Sequence, residues 1–172
     1  MKLAVTVQMA SSRRGVPHAR SFNRWAQAAC APYLPVGKKD RQDKELALTI
    51  RVVGAAESRR LNRTWRAKDK PTNVLSFPAG PFAPGNNGVP SRLSTKEFSA
   101  LHELGDLAIC APVVAREAKE QGKTTQAHWA HMVVHGVLHL LGFDHENDRD
   151  ATAMEAREVK ILAQFGYDNP YA

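Results

Sequence analysis

The sequence predicts a layered α+β or α/β domain in which a small mixed β-sheet of about four strands packs with about five helices. Segments with the alternation or β-rich character of strands are interleaved with segments whose apolar residues recur at helical spacing. The chain of 172 residues has the length of one domain and is long enough to bury a real core. No repeat or low-complexity segment divides it, so residues 1–172 are read as a single domain.

Residues 3–8 (LAVTVQ) alternate apolar and small or polar side chains and make a half-buried strand. The polar interruptions Thr6 and Gln8 suit that strand better than a secretory signal. Residues 17–31 carry Phe22, Trp25, Ala26, Ala29 and Cys30 at helical spacing, with Pro17 near the first turn and Trp25 expected in the core. Residues 32–44 form a polar connection. Residues 45–53 (ELALTIRVV) are a second strand with Leu46, Leu48, Ile50 and Val52 on one face. After Gly54, residues 55–64 make a short helix that keeps Arg59, Arg60 and Arg63 wet and turns Leu61 inward. Pro71 marks a turn and residues 73–77 (NVLSF) a short strand. Residues 79–91 are too rich in Gly and Pro for regular structure and read as a mobile loop without an assigned role. Residues 104–110 (LGDLAIC) are a strand, and residues 111–121 a helix that ends at Gly122. Thr124 or Thr125 caps the next helix, which runs to Leu141. Asn147 or Asp148 caps the last, which ends near Phe165 before Gly166.

Composition narrows the function classes. No apolar run is long enough to cross a bilayer, so no membrane partner is expected. Cys30 and Cys110 stand far apart outside any CxxC pair and read as small buried hydrophobes in a reducing, cytoplasmic protein. Residues 1–70 carry 16 Lys and Arg against 5 Asp and Glu, a net +11, whereas residues 71–172 carry 8 against 12, a net −4. A cationic half beside a metal-binding half suits a polyanionic substrate.

The metal-binding half is centred on HGVLHLLGFDH, residues 135–145. His135 and His139 stand four apart, roughly 40° from each other on one helix face, and two imidazoles so placed can share one ion. Gly142 can stop the helix in a left-handed conformation, so that the chain turns back and brings His145 to the same point. Three imidazoles that leave a fourth coordination position open make a catalytic rather than a structural zinc site. Zinc peptidases with the HxxxHxxGxxH spacing carry a glutamate after the first histidine as general base, and here that position is Gly136. The site is therefore read as another kind of metal hydrolase.

His128 and His131 fall on the same helical stripe, and His131 with His135 is also an allowed pair. Gly142 and His145 favour His135 with His139, because a chain reversing there returns to the C-terminal end of the helix. His128 and His131 are then polar core residues, partners behind the ligands, or groups facing substrate. Asp144 and Glu146 flank the third histidine and either orient an imidazole, take a proton or remain solvated. Arg66 lies in the basic turn WRAKDK, where a guanidinium could hold phosphate oxygens bidentately, although spacing alone does not separate it from Lys68 and Lys70.

The stretches LNRTWRAKDKPTNVLSFP, LGDLAIC and AHWAHMVVHGVLHLLGFDH, in this order, resemble the signature blocks of the YbeY family of bacterial metal-dependent endoribonucleases. The resemblance spans roughly residues 57–170. It implies a single-domain α/β/α fold and a single-strand-specific endoribonuclease that matures the 3′ end of 16S rRNA and acts in ribosome quality control. By motif position it makes His135, His139 and His145 the ligands of one Zn2+ and Arg66 the arginine needed for cleavage. The expected partners are single-stranded RNA and the ribosome or its small subunit, with no DNA. Two rival classes follow from the residues alone: a zinc-dependent peptidase or amidase, and a non-catalytic ribosome-associated RNA-binding factor with a structural metal.

Overall fold

A computed structural model describes residues 2–34, 45–80, 102–143 and 148–172. In chain order these form β1 (Lys2–Met9), α1 (Ala19–Cys30), a 3-10 turn (Ala31–Tyr33), β2 (Glu45–Val53), α2 (Ala55–Arg66), β3 (Val74–Pro78), β4 (Glu103–Cys110), α3 (Ala111–Glu120), α4 (Thr125–Leu140) and α5 (Asp148–Ala163). The strands make one sheet of order β1-β2-β4-β3. β1, β2 and β4 run parallel, and β3 lies antiparallel at the β4 edge, so the sheet is mixed as the sequence predicts.

One face of the sheet is thick. The alternation of β2 turns Leu46, Leu48, Ile50 and Val52 into a core shared with Phe22 and Trp25 of α1 and with Trp129, Val133 and Leu138 of α4. Phe22 meets both tryptophans edge to face, at 5.9 and 5.4 Å between ring centroids. Trp25 is 2% exposed, in keeping with its expected core role. The other face is thin: α2 and α3 pack together against β4, over a small cluster of Val53, Cys110 and Val113. There Arg51 of β2, out of step with the buried row, joins Glu57 of α2 at 2.9 Å. Both cysteines are buried and free.

α4 is the central helix. Eleven of its 16 residues are buried, which is the pattern of a helix enclosed by protein rather than laid on its surface. Thr124 caps it by accepting from the Ala127 amide at 3.1 Å, as its sequence suggests. It packs on α1 and α5 and crosses β3 and β4. The crossing is close at Gly136, where a Cβ would stand 2.8 and 2.9 Å from the two terminal carbons of Leu107. No side chain fits between helix and sheet at that position.

Three segments differ from expectation. α1 begins at Ala19, after His18 in extended conformation, so Pro17 precedes the helix instead of lying in its first turn. α2 continues to Arg66, past residue 64, and buries Ser58 and Asn62 while Leu61 is half-buried. Those two polar side chains are inside because they bind backbone: Ser58 Oγ donates to the Thr72 carbonyl at 2.9 Å and accepts from the Thr72 amide at 3.0 Å, and Asn62 Nδ2 donates to the Lys70 carbonyl at 2.7 Å. The loop predicted at residues 79–91 lies outside the described residues from residue 81 onward. Among the described residues no helix is long and apolar enough to cross a membrane.

The tight seat of α4 carries a prediction. Gly136→Ala should lower stability by about 1–3 kcal/mol, because the added methyl must push Leu107 or the helix aside. Urea unfolding followed by circular dichroism would read this as a lower midpoint with an unchanged slope. A midpoint equal to that of the parent would mean that helix and strand are not in contact there.

Candidate metal centre

The stripe of α4 that does not face the sheet carries His131, His135 and His139 one turn apart. Gly142 ends the helix at φ 89°, the left-handed conformation that the sequence calls for. Its amide returns to the His139 carbonyl at 2.9 Å and the Phe143 amide to the Leu138 carbonyl at 3.0 Å. The reversal aims the Phe143 carbonyl at His139 Nδ1, 2.9 Å away. A carbonyl only accepts, so Nδ1 of His139 carries the proton and Nε2 presents a lone pair.

His135 is held by a different device. Its Nδ1 lies 2.7 Å from Glu158 Oε1, on α5. Glu158 is fully buried, which on its own would raise its carboxyl pKa, but the His131 and His135 rings beside its two oxygens hold it down at about 2. The ionised carboxylate takes the Nδ1 proton in hydrogen bonding and leaves Nε2 of His135 as a lone pair. A carboxyl depressed from 4.5 to about 2 stabilises the fold fully above its unfolded pKa, and this stabilisation is lost as pH falls through that interval.

The two Nε2 atoms face each other at 3.1 Å. Two lone pairs at that distance repel, and only a cation between them, a proton or a metal ion, makes the approach favourable. Two nitrogens on one tetrahedral zinc, each about 2.0–2.1 Å from it, stand roughly 3.3 Å apart. The arrangement of His135 and His139 therefore fits a metal, and each ring is oriented from behind by the kind of acceptor that metal-binding imidazoles require.

A second grouping overlaps the first. The ligand atoms of His131, His135 and Glu158 all lie within 4.8 Å of one another and form a cluster of potential metal donors. Glu158 Oε1 is engaged by His135, and Oε2 accepts from the Tyr171 hydroxyl and lies 3.6 Å from His131 Nε2. The Tyr171 hydroxyl is also 3.2 Å from His131 Nε2. Burial and the Glu158 charge push the Tyr171 pKa up, so it remains a donor. His128 is buried against Glu117, at 2.8 Å, and burial lowers its pKa despite that carboxylate. Asn73 Nδ2 donates to the same Glu117, at 3.2 Å. Asn73, Glu117, Lys123, His128 and Tyr171 border a cleft that reaches His135.

His145, with Asp144 and Glu146, lies outside the described residues. The carboxylate found on the His135 imidazole is Glu158, which the sequence reading did not single out. Its signal was present: Met154, Glu158, Ile161 and Leu162 share the buried stripe of α5, and a glutamate in such a stripe is rare unless paired. Arg66 ends α2, exposed, and makes no hydrogen bond to the described histidines. It is nevertheless distinguished from the other arginines of α2. Arg59 is bound through two nitrogens to Asp69, Arg63 reaches the same carboxylate at 4.0 Å and Arg60 reaches Glu57 at 3.9 Å. Among the described residues the Arg66 guanidinium has no such partner.

The position of Glu158 yields a test. Glu158→Gln removes the charge behind His135 and should weaken zinc binding by about 10- to 100-fold in a chelator competition. An unchanged affinity would separate Glu158 from the metal-binding rings.

Comparison with known proteins identifies the family. Residues 8–166 match the model of the family described as Endoribonuclease YbeY. The chain is 51% identical over 172 residues to an endoribonuclease YbeY of Stenotrophomonas maltophilia (strain K279a), covering 100% of this chain and 95% of that protein. It is 49% identical over 162 residues to the endoribonuclease YbeY of Stutzerimonas stutzeri (strain A1501), covering 94% and 88%. The solution structure of TM1509 from Thermotoga maritima shares the fold at a TM-score of 0.54 and 22% identity, over 94% of this chain and 88% of that one. Matched along nearly its whole length, with its histidine stripe and basic turn inside the matched region, the chain belongs to the endoribonuclease YbeY family.

Proposed function

We propose that this member of an endoribonuclease family cuts single-stranded RNA with one Zn2+ per chain, in the cytoplasm, and serves 3′-end maturation of 16S rRNA and ribosome quality control. The observation that carries the metal reading is the approach of His135 and His139 through Nε2 at 3.1 Å, with each Nδ1 turned to its own acceptor. His135 and His139 would hold the ion, with His145 as the third ligand expected from the sequence. Bound there, zinc supplies Lewis acidity at a phosphate oxygen.

The chain's own groups divide the remaining work. The Arg66 guanidinium binds the scissile phosphate and offsets charge that grows on its oxygens, a role that suits the one α2 arginine without an acidic partner among the described residues. Glu158 and the Phe143 carbonyl keep the two imidazoles in the required orientation. Position 136 contributes no base, since Gly136 is pressed on Leu107. The peptidase reading loses support for that reason. The attacking group is then either water or the substrate's own 2′-hydroxyl, and the missing carboxylate favours the hydroxyl. The basic N-terminal half supplies the field that draws in a polyanion such as rRNA.

Digestion of unstructured and duplex RNA by the purified protein tests this reading, with His139→Ala as the control for contaminating nucleases. Cleavage confined to the unstructured RNA and abolished in the control is expected; equal cleavage by both proteins would refute it. Arg66→Ala should retain zinc and fold while losing turnover by about 100-fold or more. A substrate with a single 2′-deoxy residue at the cut should resist cleavage, and undiminished cutting would assign the attack to water.

A further inference from the structure

Of the three tryptophans, Trp25 and Trp129 are 2% and 1% exposed, whereas Trp65 is 67% exposed. Its indole sits in the last turn of α2, one residue before Arg66, and meets the Phe77 ring of edge strand β3 edge to face, with centroids 5.8 Å apart. That contact fixes the ring over the edge of the sheet and leaves most of its surface in water. The same strand touches the metal helix: Ser76 Oγ lies 3.4 Å from the Gly136 carbonyl, next in sequence to His135. Trp65 and α4 therefore contact successive residues of one short strand, Phe77 and Ser76.

The turn that follows is built to hold still. Ala67 adopts φ 55°, the one left-handed non-glycine residue among those described, and its amide and that of Lys68 return to the Asn62 carbonyl. Asn62 and Ser58 bind the Lys70 carbonyl and both backbone groups of Thr72, and Arg59 grips Asp69 at 2.8 and 2.6 Å. These bonds neutralise Asp69 and consume Arg59, while Arg66, Lys68 and Lys70 keep side chains with no ion-pair partner among the described residues. A rigid turn thus presents three uncommitted cations beside one exposed indole. An exposed aromatic ring among cations is how proteins hold single strands, since every unpaired base has a π-face to stack and every nucleotide a phosphate to bind.

We infer that Trp65 is a stacking platform for an unpaired nucleobase of the RNA, that of a nucleotide next to the phosphate held by Arg66. The inference rests on the proposed reading of Arg66 as the phosphate-binding group. It gives the preference for single strands a physical source, because a base already paired and stacked in a duplex cannot turn out onto the indole.

Stopped-flow mixing of the zinc-loaded protein with a short single-stranded RNA, followed by tryptophan emission and by cleavage, tests this. Emission should be quenched on binding in the parent and not in Trp65→Ala, because the other two indoles are buried. Trp65→Ala should raise KM by about 10-fold or more with kcat within about 3-fold, and Trp65→Phe should restore most of the loss. Scanning an abasic nucleotide through the RNA should find a position that costs the parent about 10-fold and Trp65→Ala almost nothing. Equal KM for parent and Trp65→Ala, or the same abasic penalty in both, overturns the stacking site and leaves the nuclease reading intact. Failure of the parent itself to bind or cut RNA would overturn the nuclease reading instead. Thermal melting of the two variants within about 2 °C of the parent excludes unfolding as the cause, as expected for a side chain this exposed.

Discussion

Two imidazole lone pairs brought face to face are a repulsion that the rest of the protein must sustain. Neither ring could be left to find its own rotamer, because each would swing its nitrogen out to water. The fold prevents this from opposite ends. At the C-terminal end of α4 the left-handed turn at Gly142 bends the chain until a carbonyl meets His139, and on the flank α5 delivers a buried carboxylate to His135. Both constraints work only because α4 itself cannot shift, enclosed as it is by α1, α5 and the sheet. The hydrophobic core thus acts at a distance on coordination geometry, by fixing the helix from which the donors project.

Much of this was legible in the residues. Alternation in ELALTIRVV and the aliphatic run of LGDLAIC placed β2 and β4, and the fourfold spacing of His135 and His139 with a glycine behind them placed the two facing rings and the turn. The partner of His135 was not legible in the same way. Asp144 and Glu146 are adjacent to the motif in sequence, whereas Glu158 reaches it only because α5 folds back over α4. Proximity in sequence is a poor guide to which carboxylate meets an imidazole, and a charge in an otherwise apolar stripe is a better one. Arg66 shows the same limit from the other side. Composition treats the cations of α2 and the basic turn alike, and only the structure reveals that Asp69 and Glu57 engage Arg59, Arg60 and Arg63 while sparing Arg66, Lys68 and Lys70.

The two halves of the chain divide the chemistry accordingly. Residues before β3 supply positive charge on a stiffened turn, and residues after β4 supply nitrogen donors and the acidic groups that orient them. β3 is the seam between them, antiparallel in an otherwise parallel sheet, with Phe77 against α2 and Ser76 against α4. The polar side chains inside α2, which would be misplaced in an ordinary amphipathic helix, make sense as the anchors of that turn.

The contact between Gly136 and Leu107 bears on how such a site can diversify. Glutamate is a single-nucleotide step from some glycine codons, so a water-activating carboxylate at this position is readily sampled by mutation. It would nonetheless arrive inside the helix–sheet interface and disrupt the seat of the donors it was meant to assist. Steric closure, rather than codon distance, holds this scaffold to a reaction whose attacking group does not depend on a base at that position.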